Sequence, residues 1–138
     1  MPEYTILGHP ADMGVEASGR SLAEAFEQAA HGLMSIILDI SSVEPLESRQ
    51  IELTASDPEQ LLVRWLSEIL YLYDGGRFAC REFTIYELSK NRLRANVQGE
   101  EFSEERHPTR TDVKAVTYHQ LRVHEGDHGA TVRVFLDI

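Results

Sequence analysis

The chain has 138 residues, of which 42% are hydrophobic, 13 are basic and 23 are acidic, giving a net charge of -10. That is the size of one domain with one core, and without clustered Lys and Arg to displace counterions it excludes direct RNA or DNA binding as the expected activity. The acidic balance favours cations and basic partners, and the one cysteine, Cys80, excludes an internal disulfide and a multi-cysteine zinc site.

The opening Met1-Pro2-Glu3-Tyr4 has neither a basic n-region nor an apolar h-region. No apolar run is long enough to span a bilayer, so a reduced, cytoplasmic setting is expected. Tyr4 to Leu7 reads as a short strand. Gly8-His9-Pro10-Ala11-Asp12-Met13-Gly14 reads as a loop, with glycines at both ends and a proline inside. Val15 and Ala17 alternate with Glu16 and Ser18 as a half-buried second strand.

Ser21-Leu22-Ala23-Glu24 is a capping box that starts a helix. Its apolar stripe runs Leu22, Ala25, Phe26, Ala29, Leu33, Ile36, Ile37, at spacings of three and four. Asp39 to Ser48 is a polar connection containing Pro45. Ile51, Leu53 and Ala55 alternate with polar neighbours as a third strand. Asp57-Pro58-Glu59-Gln60 is a second helix start, with a capping aspartate and a proline at the first helical position. Leu62, Trp65, Leu66, Ile69, Leu70 and Tyr73 form its buried stripe. Asp74-Gly75-Gly76 is expected to end it.

Phe83–Leu88 and Leu93–Val97 read as strands joined by a hairpin at Ser89-Lys90-Asn91. Glu100 to Glu105 carries four glutamates and reads as a solvated loop. Val116 to Val123 is a further strand whose apolar parity slips between Tyr118 and Leu121, which predicts a bulge near His119-Gln120. Gly126-Asp127-His128-Gly129 turns the chain into a last strand with Ala130, Val132, Val134 and Leu136 on one face. Two long amphipathic helices among mostly hairpin-linked strands predict an α+β fold with mostly antiparallel sheets.

The chain has no phosphate-binding glycine loop, no Gly-x-Ser-x-Gly elbow and no His-Glu-x-x-His helix. Cys80 lies beside Arg81 but has no base near it in sequence, so it reads as a buried, inert thiol. Of the six histidines, His31 reads as structural and His128 as a solvated turn residue. His9 flanks Asp12, and His119 lies at the expected bulge. Asp137-Ile138 closes the last strand with a carboxylate, a carbonyl and an α-carboxylate, the oxygen donors that hard cations prefer. Taken alone, Asp12 reads as a turn residue and Asp137 as a solvated strand end. Together they could converge on a cation if the first loop meets the last strand. Lys114 would place a positive charge near them.

These residues carry a resemblance. His9-Pro10-Ala11-Asp12-Met13-Gly14-Val15-Glu16-Ala17 resembles the amino-terminal signature of the archease family, and Lys114-Ala115-Val116-Thr117-Tyr118-His119 resembles its internal motif. Leu70 to Asp74 and the ending at Asp137 fit as well. Pro10 stands where the family commonly has threonine, and Met13 where isoleucine is usual. The resemblance implies one archease-like domain over residues 1–138. It also implies a protein cofactor of the RtcB-type RNA ligase rather than an enzyme. That ligase joins RNA 2′,3′-cyclic phosphate or 3′-phosphate ends to 5′-hydroxyl ends in tRNA splicing and RNA repair, using GTP and Mn²⁺ through a histidine–GMP intermediate. An archease promotes its guanylylation and supports multiple turnovers.

The resemblance further implies a divalent metal, taken in the family to be calcium, with Mg²⁺ and Mn²⁺ as alternatives. Asp12, Asp137 and Ile138 would bind it. Lys114 would serve activation, with His9 and His119 as candidate partner contacts. Two other readings are a chaperone or specificity modulator of RNA-modifying enzymes such as tRNA methyltransferases, and a small metal-dependent hydrolase using Asp12, Asp137 and His119.

Overall fold

Both helices start where local chemistry requires. The computed structural model describes residues 2–8 and 12–138. Helix α1 spans Leu22–Ile37. The Ser21 hydroxyl accepts the Glu24 N–H at 3.2 Å, and Glu24 Oε1 reaches one residue past the cap to accept the Arg20 N–H at 2.8 Å, a variant of the capping box. Helix α2 spans Pro58–Asp74. Asp57 Oδ1 accepts the Gln60 N–H at 2.8 Å, and Gln60 Oε1 accepts the Ser56 N–H at 2.7 Å.

The two apolar stripes meet. The Trp65 indole N–H donates to the Phe26 carbonyl at 2.9 Å, so the largest buried side chain has its polar atom satisfied inside the core. Truncating it to alanine should cost about 3–5 kcal/mol. His31 packs edge-on against Phe83, centroids 4.9 Å apart, and burial lowers its pKa, in line with a structural role.

Helix α2 ends at Asp74 as expected, with Gly75 as its cap. Gly75 is right-handed (φ -90°, ψ -38°), and the left-handed residue is Arg77 at φ 50°. The glycines are needed for space instead: a Cβ on Gly76 would stand 2.8 Å from the Leu72 carbonyl oxygen. Arg77 is held by its N–H to Tyr73 O at 3.0 Å, by the Phe102 N–H to its own carbonyl at 2.7 Å, and by its guanidinium over the Phe102 ring.

Among the described residues, seven strands form two sheets. In chain order they are β1 Glu3–Gly8, β2 Asp12–Gly19, β3 Glu47–Thr54, β4 Phe78–Leu88, β5 Arg92–Glu101, β6 Ala115–Gly126 and β7 Gly129–Asp137. The first sheet has the order β1-β2-β7-β6 and the second β3-β5-β4, and every pairing among the described residues is antiparallel. Helix α1 packs on β2 and β7 and along β4, while α2 packs on β6 and β4. Val15, Phe26, Leu33, Trp65, Val97, Val132 and Leu136 belong to one shared core.

β4 and β5 are longer than the sequence indicates, because Phe78, Ala79 and Cys80 are buried and extend the pairing to Glu101. Burial pushes the Cys80 thiol up to about 12, which makes it inert as expected. The free edge of β4 is capped by α1: Glu27 Oε2 accepts the Ile85 N–H at 2.7 Å.

The reading of Glu100 to Glu105 as a solvated loop is corrected. Glu100 is buried in β5 beside fully buried His107. Its Oε2 accepts the Glu44 N–H and the His107 Nε2–H, both at 2.9 Å. Nδ1 of His107 accepts the Ser103 N–H at 2.9 Å, which fixes the neutral tautomer with the proton on Nε2. The backbone hydrogen bond from Glu44 leads, and the imidazole and the nearby Arg106 guanidinium add to it, in holding the Glu100 carboxyl below its usual range.

Both helices point the same way. Their starts, with Ser21, Leu22, Pro58 and Glu59, border a groove of about 680 Å³ by the β4–β5 hairpin. Their ends meet the segment 109–112, where Arg110 and Thr111 donate to the Ile37 and Ile36 carbonyls and Tyr73 adjoins Asp112.

Candidate functional site

Asp12, Met13 and Gly14, read from the sequence as loop, are instead the first residues of β2, and it is this strand that meets the last one. Asp12 opens β2 and is the register partner of Asp137 in β7, so the two carboxylates project from the same face of the sheet, directly opposite one another. Ala115 of β6 is the partner of Asp137 on its other side. The Lys114 N–H donates to the Asp137 carbonyl at 2.8 Å, and the Lys114 side chain is exposed. The chain therefore brings Asp12, Lys114, Asp137 and Ile138 to one end of the sheet. It is the same end at which both helices finish, with no basic residue in either last turn, so the carbonyl ends of the helix dipoles add to its negative field.

Four positions along the strand pair the chemistry changes sign. Glu16 faces Arg133, with Arg133 Nη1 3.8 Å from Glu16 Oε2; Glu16 is thus engaged away from Asp12. Between them lies Phe135, which is 2% exposed yet stands apart from the shared core. It alternates with Leu136 and so occupies the outer face. Gly14 makes room for it, since a Cβ there would stand 2.9 Å from the Phe135 ring.

β6 carries the expected bulge. Its register jumps from Thr117 opposite Phe135 to Arg122 opposite Arg133, so Tyr118 to Leu121 face a single β7 residue. Gln120 takes the left-handed backbone, φ 50°. The Thr117 hydroxyl donates to Phe135 O at 2.9 Å, the His119 N–H donates to Thr117 Oγ1 at 3.2 Å, and Arg133 Nε–H donates to Gln120 O at 3.1 Å. The His119 ring stands edge-on to Phe135, centroids 5.8 Å apart. His119 is thereby one step along the face from Asp137, while His9 lies outside the described residues.

The donor set suits a hard cation, because it consists of carboxylate and carbonyl oxygens. Among the described residues, no three His, Cys, Asp or Glu side chains converge on one point. A cation at Asp12 and Asp137 would thus depend on main-chain or terminal oxygen to complete its ligands. Sequence reasoning missed Phe135, Arg122 and Arg133. For Phe135 the signal was Gly14, which read as a loop end but lies inside β2, where a glycine marks a close approach.

Among the described residues no helix is long and apolar enough to cross a membrane. The Archease protein family (MTH1598/TM1083) matches residues 4–138. Protein archease of Sulfolobus acidocaldarius is 37% identical over 139 residues, covering 100% of both chains. That of Methanosarcina acetivorans is 36% identical over 140 residues, covering 99% of this chain and 96% of its own. The solution structure of Methanobacterium thermoautotrophicum protein 1598 superposes with a TM-score of 0.80 at 34% identity, over 98% of each chain. A Thermotoga maritima protein described as an archease and possible chaperone shares the fold, with a TM-score of 0.60 at 19% identity over 96% of this chain and 94% of that one. A family match over nearly the whole length, together with these relatives, places the chain in the archease family.

Proposed function

We propose that this archease is a protein activator of an RtcB-type RNA ligase, promoting its guanylylation with GTP and its repeated turnover in the cytoplasm. The observation that carries the reading is the pairing of Asp12 with Asp137 at the end of the sheet, with the Lys114 N–H on the Asp137 carbonyl. Two like charges placed directly opposite on a sheet are destabilising, so a partner that neutralises them is expected. Asp12, Asp137 and the Ile138 terminus would hold a divalent cation, with Ca²⁺ preferred over Mg²⁺ or Mn²⁺. When bound, that cation supplies positive charge for phosphate oxygens.

The chain's own residues do the rest. The Lys114 N–H fixes the Asp137 backbone, which holds that strand end in place. The exposed Lys114 ammonium is free to meet the phosphates of a nucleotide. The acidic end repels bare RNA and suits a basic nucleotide pocket.

Single-turnover guanylylation of such a ligase at limiting Mn²⁺, with and without the archease, tests this. Stimulation by the wild type and its loss in Asp137→Ala is the expected result. Full stimulation by folded Asp12→Ala and Asp137→Ala variants would sink the metal-end reading. A second reading, a chaperone or modulator of RNA-modifying enzymes, is supported by the groove of about 680 Å³ at the opposite end and by the description of the Thermotoga relative. It expects the carboxylate variants to protect a partner as well as the wild type does.

A further inference from the structure

Between the end of β5 at Glu101 and the start of β6 at Ala115 the chain runs without a helix or a strand. A connection of that length inside one domain is uncommon, and it is usually either disordered or functional. This one is fastened along its length. His107 and Val113 are buried plugs. Between them, residues 108–112 bury no side chain and border a cleft of about 250 Å³ with Ile37 and Tyr73. Apolar burial therefore does not hold this stretch. Hydrogen bonds to the end of α1 do.

The last carbonyls of a helix have no partner inside it. Arg110 and Thr111 donate their N–H groups to Ile37 O at 2.8 Å and Ile36 O at 3.1 Å, and the Asp39 N–H donates to Pro108 O at 3.0 Å. Arg110 adds its side chain, with Nη1 donating to Ser35 O at 3.1 Å. Its approach to Asp39, at 4.0 Å, is peripheral, because that carboxylate already accepts from the Ser41 N–H and hydroxyl. Within 108–112, Arg110 is thus the residue that grips α1 with both backbone and side chain.

The strap leads past Val113 directly to Lys114, whose N–H holds the Asp137 carbonyl at 2.8 Å. The ends of strands open most easily, and here the tie on the end of β7 is supplied by the end of the strap. We propose that Arg110 is a positioning residue for that end. It locks 108–112 onto α1, which keeps Lys114 on Asp137 and sets the Asp137 oxygens in place before a ligand arrives. Donors fixed in advance lose less freedom on binding. The consequence for a cation rests on the reading of Asp12 and Asp137 as its ligands.

The test is amide hydrogen exchange by NMR on the metal-free protein, with the Ca²⁺ dissociation constant measured by calorimetry on the same variants. In Arg110→Ala the Lys114 amide should exchange about two- to tenfold faster, as for the loss of one hydrogen bond, with the β4 amides unchanged. Ca²⁺ should bind more weakly by about the same factor. Arg110→Lys keeps the charge and one donor for the Ser35 carbonyl, and should recover most of both losses. Charge alone predicts the opposite sign, because removing a cation near the acidic end tightens Ca²⁺ binding. The inference is overturned by a Lys114 amide that keeps its wild-type rate in Arg110→Ala, by equal acceleration in β4, or, in a protein that binds Ca²⁺, by affinity that is unchanged or tighter. A wild type that binds no Ca²⁺, while its Lys114 amide still responds to Arg110→Ala, removes the cation reading and leaves the positioning role of Arg110 standing.

Discussion

The two sheets treat charge differently. On the outer face of β3-β5-β4, Arg94 lies between Glu52 and Glu87 in the ladder, 3.0 Å from one and 3.4 Å from the other. Its Nε–H is not aimed at the Glu52 oxygen, so that attraction is Coulombic rather than a hydrogen bond. Gln50 bonds Asn96 across the same face, and the Tyr86 hydroxyl donates to Gln50. These rungs alternate donor and acceptor or plus and minus. On the outer face of β1-β2-β7-β6, aspartate faces aspartate, and Arg133 has Arg122 on one side and its ion-pair partner Glu16 on the other. The first pattern stabilises a sheet, and like charges directly opposite cost stability. At Asp12 and Asp137 this face forgoes the pairing its neighbour uses, which suits a counter-charge from outside the molecule.

The largest expected effect tests whether the open face has a keystone. Phe135→Ala should lower unfolding free energy by about 3 kcal/mol or more and free the 118–121 bulge, seen as faster amide exchange there than in β4. A loss well under 1 kcal/mol would mean that Phe135 is no more than a surface residue.

Next in size is the buried pair behind the second sheet. Glu100→Gln should cost about 1–3 kcal/mol at neutral pH. Because the folded Glu100 carboxyl titrates below its unfolded value of 4.5, its contribution is complete above that value and disappears as pH falls through the lower folded one. Denaturant midpoints measured at pH 7 and near pH 3 should therefore differ less in Glu100→Gln than in the wild type. An unchanged difference would remove Glu100 as the source.

The smallest effects have opposite signs on the two sheets, which makes them the sharpest. Arg94→Ala should destabilise, and Arg122→Glu should stabilise by placing a carboxylate opposite Arg133, each by about 0.2–1 kcal/mol. Asp137→Asn should likewise stabilise the metal-free protein by a similar amount. Added Ca²⁺ should raise the wild-type melting temperature and leave that of Asp137→Asn unmoved. Equal destabilisation by all three variants would erase the contrast between the faces.

Legibility in the sequence follows locality. Ser21 with Glu24, and Asp57 with Pro58 and Gln60, announce their helices because capping is settled within four residues. The bulge is legible because a slip of parity is a local event too. Glu100 is not, since among four glutamates only the distant Glu44 backbone and His107 single one out for burial. The carboxylates are legible as candidates but not as a pair, because strand register across the whole chain leaves no local mark. Arg122 and Arg133 escape notice for the same reason.

The pairing of β2 with β7 joins residues 12–19 to residues 130–137. Closing so long a loop is entropically expensive, and contacts of such separation form slowly. During synthesis, α1 can cover the apolar side of β2 early, but the β2 edge that pairs with β7 must wait until β7 has left the ribosome. The acidic end is assembled only once these two distant segments have paired, so its presence reports that pairing.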